Sequence, residues 1–380
     1  MQKACHVPLR RLGMRAIRNR SRARGSVALT PRKELLMPAV VSLTPAPVID
    51  RTYLVDSFDA GKVNRATEIQ EFLSGKGINV SRTLRVANVP TSAVLPIGRE
   101  DEHLLFRTPY PQVLRILPIP GRMRVNTAIL EKSGRTTNVN QKAVPIPQRE
   151  WEAVVDMTIT EIEALHADWL VVSGSVPRHP ENGEKVDFTR LFTEARRLGT
   201  RVAFDSSGTS LEKWARSGLV NLIKPNTDEI ATLVNRELHT VGEVLEAGRD
   251  VIEECGLEVA FVSMGGDGAL AISKDEAIWG LAKVDEVVNT TGAGDASLAG
   301  FVGHSIVGPG QLGGRADHGT LPDLSLRAGL AKGVVYGAVA VTVPTTIIES
   351  LDNAPTPVLT EPPVEKPLSE PTKIFETPSA

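Results

Sequence analysis

The chain reads as an α/β protein built on a mainly parallel sheet flanked by helices. Three observations predict this. Short apolar runs rich in β-branched residues recur along the chain, as in strands buried on both faces. Amphipathic helical stretches separate them, and βα alternation implies a parallel sheet. The 380 residues are 41% hydrophobic and 23% charged, ordinary values for a globular chain of one large domain or two.

The strands are expected at Ala39–Leu43, Asp168–Ser173, Arg201–Asp205, Val220–Lys224 and Val259–Met264. A helix is expected over Asp187–Gly199. Asp187 is its cap, Phe188, Leu191, Phe192, Ala195 and Leu198 make one apolar stripe, and Gly199 is the stop. Residues 308–322 read as a glycine-rich surface loop.

The formal net charge of −2 gives the whole chain no bias toward nucleic acid or an acidic membrane. Cys5 and Cys255 form no CxxC pair, so neither a disulfide framework nor a cysteine zinc site is expected, and the default compartment is the reducing cytoplasm. The apolar stretch Ala328–Val343 is interrupted by Lys332 and is too short to span a bilayer. No HExxH, GxSxG or Walker A pattern occurs.

Both ends differ from the middle. Residues 1–36 carry ten Lys or Arg and one acid, Glu34. An upstream start preceding Met37, a transit peptide and a nucleic-acid arm all fit that composition. Residues 1–37 are therefore expected to be a basic extension outside the fold, with the core at 38–352. Residues 353–380 contain seven prolines. They are expected to form a disordered tail, because proline removes backbone donors and little apolar material remains.

The segment that carries chemistry is Val287–Gly300, VVNTTGAGDASLAG. A short β-branched strand is expected to run into Gly292-Ala293-Gly294-Asp295, and a helix is expected over Ala296–Ile306. Glycines before a helix let N–H groups converge on an anion, and the helix dipole favours negative charge there. Asp295 can accept a proton from an attacking hydroxyl beside that cradle. Taken alone, the element also fits a tight turn and an ordinary cap. A dinucleotide fingerprint is incomplete, since Ser297 stands where the third glycine belongs.

Taken together, the motifs resemble the ribokinase-like PfkB sugar kinases, in the branch holding 1-phosphofructokinase and tagatose-6-phosphate kinase. The resemblance runs over about residues 38–350. Thr44–Tyr53 (TPAPVIDRTY) is similar to the family's TPNPALDRTY, Gly61–Ala66 reads GKVNRA, and Ser74–Leu84 (SGKGINVSRTL) is similar to GGKGINVARxL. Arg124–Asn126 with Thr136–Asn140, Ser173–Pro177 (SGSVP), Ile223–Glu229 (IKPNTDE) and Ser263–Gly268 (SMGGDG) follow in the family's order.

The resemblance implies a ribokinase-like fold with a small β lid near residues 50–74 and 123–145. It implies Asp295 as base, with Gly292, Ala293 and Gly294 as the anion hole. Asp50, Arg65, Gly75, Lys76, Asn79 and Arg124 would hold a sugar phosphate, with Gly75 and Gly77 permitting close backbone approach to the ligand. Lys224, Asn226, Glu229, Ser263, Gly265 and Gly268 would face ATP, and Asn226 and Glu229 would hold Mg²⁺ largely through water. Fructose 1-phosphate is the favoured acceptor. Tagatose 6-phosphate, fructose 6-phosphate, an unphosphorylated sugar or nucleoside, and a non-catalytic binding role are the alternatives. A homodimer through the lids is also implied. The departures all fall on the sugar side: Ala46 for Asn, Ser74 for Gly, the atypical 98–120 segment, and Lys142-Ala143 for Pro-Gly.

Overall fold

The computed structural model describes residues 38–307 and 323–372. The basic extension and the 308–322 loop expected from the sequence lie outside these residues. The chain begins with β1 (Val40–Leu43), β2 (Val48–Val55), β3 (Glu68–Ser74), α1 (Lys76–Val86) and β4 (Thr91–Gly98). A 3₁₀ stretch over Arg99–Arg107 leads to β5 (Leu114–Ile119), β6 (Arg124–Glu131) and β7 (Thr136–Asn140). Next come α2 (Gln148–Leu165), β8 (Trp169–Ser173), α3 (Thr189–Arg197), β9 (Arg201–Asp205), α4 (Gly208–Ala215), β10 (Leu222–Ile223), α5 (Thr227–Val234) and α6 (Val241–Cys255). The last third holds β11 (Val259–Ser263), β12 (Ala269–Ile272), β13 (Ala277–Leu281), α7 (Ala293–Val302), β14 (Ile306–Val307), β15 (Asp323–Leu324), α8 (Leu326–Ala340) and β16 (Val358–Thr360).

Ten strands form the large sheet, in the order β16-β13-β12-β11-β10-β9-β8-β1-β4-β5. The pairs from β11 to β5 are parallel, and β12, β13 and β16 add an antiparallel edge. One apolar layer packs Trp151, Phe188, Phe192, Phe204 and Trp214 against one face, and the other packs Phe261, Phe301, Leu298 and Leu330. Strand order reverses at β1, with β4 on one side and β8 on the other. In such sheets ligands sit outside the carboxyl ends of the strands near that reversal. A second sheet, β3-β2-β6-β7, is small and stands apart from the first.

Several expected elements differ: no strand forms over 287–291, where the chain runs as irregular backbone into Gly292, β10 is shortened to Leu222–Ile223, and the boundaries of α3 and α7 move. The cap of α3 is Phe188 rather than Asp187, although Asp187 Oδ1 still accepts the Thr189 N–H at 2.7 Å. Helix α7 starts at Ala293, so Asp295 is its third residue, and it ends at Val302 rather than Ile306.

The composition-based expectation of disorder from residue 353 fails for the residues described to 372. Strand β16 pairs antiparallel with β13, the Leu368 side chain is buried, and Thr372 is 2% exposed. Proline is tolerated on an edge strand and in extended chain, and this segment finds its bonding partners on elements already formed. Residues 373–380 lie outside the described part.

Helices α7 and α8 cross closely. A Cβ at Gly300 would lie 2.4 Å from the Lys332 carbonyl oxygen and 2.8 Å from the Gly333 nitrogen, both backbone atoms. Only glycine permits that approach, which anchors the helix carrying Asp295. Gly300→Ala should therefore lower the urea midpoint, by about 1–3 kcal/mol in unfolding free energy for overpacking of this kind. An unchanged midpoint would show that the two helices separate at no cost.

Candidate active site

Strands β8 and β9 end on Ser173 and Asp205, Lys224 directly follows β10, and β11 ends on Ser263. These are neighbouring parallel strands, so their last residues share one rim. Asp205 is the hub. Its side chain is 1% exposed. It accepts a hydrogen bond from Ser173 Oγ at 2.7 Å. Lys76 Nζ stands 3.4 Å from each of its oxygens, and Lys224 Nζ is 3.5 Å from Oδ1. Burial opposes the Asp205 charge, but Lys224, Lys76 and the Ser173 hydroxyl outweigh it and hold the carboxyl below its ordinary value.

Asp295 lies beside this group, 5% exposed. Asn79 Nδ2 donates to its Oδ2 at 2.9 Å. Burial pushes its carboxyl up to about 6, while Lys76, Asn79 and Lys224 pull it down and Asp205 pushes it further up. That places a carboxylate base near physiological pH. Gly292 caps α7 at φ 85°, a conformation that favours glycine. The first-turn N–H groups of Gly294 and Asp295 have no carbonyl within the helix to meet. A Cβ on Gly294 would lie 3.2 Å from Lys224 Nζ, so an ammonium faces that turn.

On the nucleotide side expected from the sequence, Asn226 and Glu229 close a capping box. Asn226 Oδ1 accepts the Glu229 N–H at 2.8 Å, and Glu229 Oε2 accepts the Asn226 N–H at 2.9 Å. Burial raises the Glu229 carboxyl, with Asp205 adding to the rise and the Asn226 N–H, Lys224 and Lys76 opposing it. Pro225 O accepts the Ser263 N–H at 3.0 Å, and Asn226 bridges Ser263. The Gly265–Gly268 turn is thereby tied to the start of α5.

Asp50 sits in β2, paired with Asn126 of β6. Burial raises its carboxyl, against Ser74, Arg124, Asn126 and Arg82. Arg82 is 1% exposed and donates from Nη2 to Leu73 O at 2.9 Å. Three buried side-chain atoms in this region have no partner: Asn79 Oδ1, Arg82 Nη1 and Asn126 Oδ1. Thr346 Oγ1, beside Gly292, is a fourth. Unmet buried polar atoms are costly, and a hydroxyl-rich ligand would supply what they lack.

Several of the expected site residues also meet other parts of the chain. Asn79, expected on the sugar, is hydrogen-bonded to the base itself. Lys76, expected on sugar oxygens or phosphate, points its ammonium at Asp205, which raises its pKa, with Asp295 and Glu229 adding to the rise. Gly75 and Gly77 do allow close approach, but to the chain itself. Cβ atoms there would lie 2.6 Å from Thr44 side-chain atoms, and the one at Gly77 also 2.9 Å from Leu43 O. The Ala293 N–H is partly spent on Thr290 O at 3.3 Å, so Gly294 and Asp295 are the freer donors. Arg124 donates to Ala46 O, Pro47 O and Gln141 O. Arg65 is exposed on the connection between β2 and β3. Sequence reasoning missed Asp205 and Arg82. The aspartate closing the RVAFD strand is the only signal for the first, and nothing in the spacing of SGKGINVSRTL marks Arg82 as buried.

A buried base at a helix N-terminus, two ammonium groups and open amides make a site for moving a phosphoryl group onto an alcohol. Residues 38–353 match the pfkB family carbohydrate kinases, and the chain belongs to that family. It is an ATP-dependent sugar kinase of the phosphofructokinase type. Among relatives, the 1-phosphofructokinase of Rhodobacter capsulatus is 31% identical over 71% of this chain and 84% of its own length. That of Bacillus subtilis is 27% identical over 69% and 84%. Phosphofructokinase-2 of Escherichia coli shares the fold. Its crystal structure with potassium gives a TM-score of 0.69 at 24% identity, covering 83% of this chain and 96% of that one. Its complex with fructose 6-phosphate gives 0.66 over 80% and 94%. No helix of the described residues is long and apolar enough to cross a membrane.

The pKa of Asp295 makes a direct expectation. Its base form is lost as pH falls through about 6, so kcat/KM should fall with an acid limb near that value. Asn79→Ala removes a hydrogen bond that favours the charged form, so its acid limb should move to higher pH. A limb that stays put in Asn79→Ala would mean that the contact does not act on the base.

Proposed function

We propose that the chain transfers the γ-phosphoryl group of ATP to a free hydroxyl of fructose 1-phosphate, giving fructose 1,6-bisphosphate. The single observation that carries the reading is Asp295, a buried carboxylate held by Asn79 at the open amides of α7. The relatives named 1-phosphofructokinase favour this acceptor among the phosphorylated ketohexoses.

Asp295 takes the hydroxyl proton as the sugar oxygen attacks phosphorus. The bond from phosphorus to the bridging oxygen breaks, and its electrons leave with ADP. Gly292, Ala293 and Gly294 shape the anion hole, with the Gly294 and Asp295 N–H groups and Lys224 placed to meet charge on the transferred group. Lys76 stands 3.4 Å from Asp205, and its charge also acts on Asp295. Asp50, Asn79 and Arg124 hold the sugar phosphate. Arg65 reaches it only if its loop folds inward.

Asn226, Glu229, Ser263, Gly265 and Gly268 line the ATP side with Lys224. Among the described residues no cluster of three His, Cys, Asp or Glu side chains could hold a metal ion. Magnesium keeps several waters and is carried mainly on substrate phosphates. Glu229 and Asn226 would hold it through water, and bound there it supplies neutralising charge to the phosphates. The small sheet acts as a lid that excludes water, a competing acceptor. Its exposed Ile69 and Val139 suit a second copy of the chain, giving a homodimer.

ADP release should be measured against fructose 1-phosphate, fructose 6-phosphate, tagatose 6-phosphate and free fructose. Fructose 1-phosphate should give the highest kcat/KM, and a higher value for any other sugar would overturn the acceptor. Asp295→Asn should lower kcat by about 10²–10⁴-fold, and a fully active variant would remove it as the base. Arg124→Ala should mainly raise KM for the sugar phosphate. An unchanged KM would take Arg124 out of the sugar site.

A further inference from the structure

The family match ends at residue 353, yet the described chain continues to 372 as an extended strap. After β16 the strap runs across the N-terminus of α6. Val364 O accepts the Gly242 N–H at 3.0 Å, and Lys366 O accepts the Val241 N–H at 2.9 Å. Further on, the Leu368 N–H donates to His239 O, and Thr372 exchanges bonds with Leu238. Val241 and Gly242 lie in the first turn of α6, where helix N–H groups lack partners within the helix. The strap supplies them.

Between these anchors the strap seizes one side chain, Asp267. The Ser369 N–H donates to Asp267 Oδ2 at 2.7 Å, and Ser369 Oγ donates to Oδ1 at 3.0 Å. Lys366 Nζ stands 2.9 Å from Oδ1. Trp279 Nε1 donates to the Asp267 carbonyl at 2.9 Å, and Lys366 Nζ lies over the Trp279 ring, 5.4 Å from its centroid. Asp267 is 5% exposed. Burial acts against its charge, yet the Ser369 and Lys366 contacts hold its carboxyl below the ordinary value.

Asp267 is the third residue of the Gly265–Asp267 turn, and Gly265 and Gly266 themselves are exposed. The turn follows β11, whose last residue, Ser263, is bonded to Pro225 and bridged to Asn226. A continuous set of contacts thus runs from Lys366 and Ser369 through Asp267 to the loop carrying Asn226 and Glu229.

We propose that the C-terminal strap is a positioning element for the nucleotide: Lys366 and Ser369 fix Asp267, and through it the Gly265–Gly268 turn and the start of α5, in the form that receives ATP. The inference rests on the reading that these two loops face ATP. Among the described residues the strap's side-chain hydrogen bonds and ion pair go to Leu238 and Asp267, on the side expected to face ATP, so its effect is placed on that substrate. By reciprocity, ATP must tighten the strap as much as the strap favours ATP.

The test uses the full chain with the double substitution Lys366→Ala and Ser369→Ala. KM for ATP and the Kd of a fluorescent ATP analogue should rise about five- to tenfold, the scale of a lost positioning contact. KM for the sugar phosphate should stay within about twofold. A variant that melts earlier but keeps its ATP affinity overturns the proposal, because the strap is then a stability clamp alone. If the double variant does not fold, hydrogen exchange on the wild-type chain decides. The amides of Val241, Gly242, Leu368 and Ser369 should exchange more slowly with ATP bound, and rates indifferent to ATP overturn the proposal. A wild-type chain that binds no ATP would overturn the kinase reading itself, a result separable from these.

Discussion

The site depends on one buried carboxylate with two ammonium neighbours. Asp205 is sealed from solvent at the carboxyl end of β9, where its charge is expensive to keep. Lys224 and Lys76 make it tolerable, and the Ser173 hydroxyl completes its shell. Such a pair is weak evidence for stability, since burying charges recovers little net energy, while removing one partner costs about 3–5 kcal/mol. Its consequence is positional. It holds one ammonium against the first turn of α7 and another beside itself, whose charge also acts on Asp295. A base, a neutralising cation and an open helix end thereby share one small space.

The same cluster explains why Asp295 can serve as a base near neutral pH. Burial alone would favour its protonated form, as would the nearby Asp205. Lys76, Asn79 and Lys224 restrain that tendency. The balance leaves a carboxyl at about 6, high enough to accept a proton usefully and low enough to be ionised at pH 7. The glycine contact between α7 and α8 then keeps Asp295 in register with lysines that arrive from other parts of the chain. Packing and electrostatics are thus coupled through a single helix.

What the sequence made legible was local. The Gly292–Asp295 turn with its helix, and separately the IKPNTDE capping box, are each built within a few consecutive residues, so spacing alone exposes their geometry. What stayed hidden was assembled over distance. Asn79 meets Asp295 across 216 residues, and Lys76 meets Asp205 across 129. Beyond its place at the end of RVAFD, nothing near Asp205 in the chain marks it as the hub, because its partners come from two other strand ends and the start of α1. The strap was misread for a similar reason. Its proline content rules out an independent fold, but not docking onto β13 and Asp267, which composition does not display. Gly75 and Gly77 read in the sequence as positions for a ligand's close approach, while in the fold the neighbours that crowd them are Thr44 and, at Gly77, Leu43 O.

The most direct test of the central claim is a crystal structure of the ternary complex with a non-hydrolysable ATP analogue, magnesium and fructose 1-phosphate. The account requires the terminal phosphoryl group to lie on the Gly294 and Asp295 N–H groups beside Lys224. It also requires a sugar hydroxyl within about 2.6–3.2 Å of an Asp295 oxygen. A terminal phosphoryl group bound away from α7, or an Asp295 still sealed from both ligands, would contradict it.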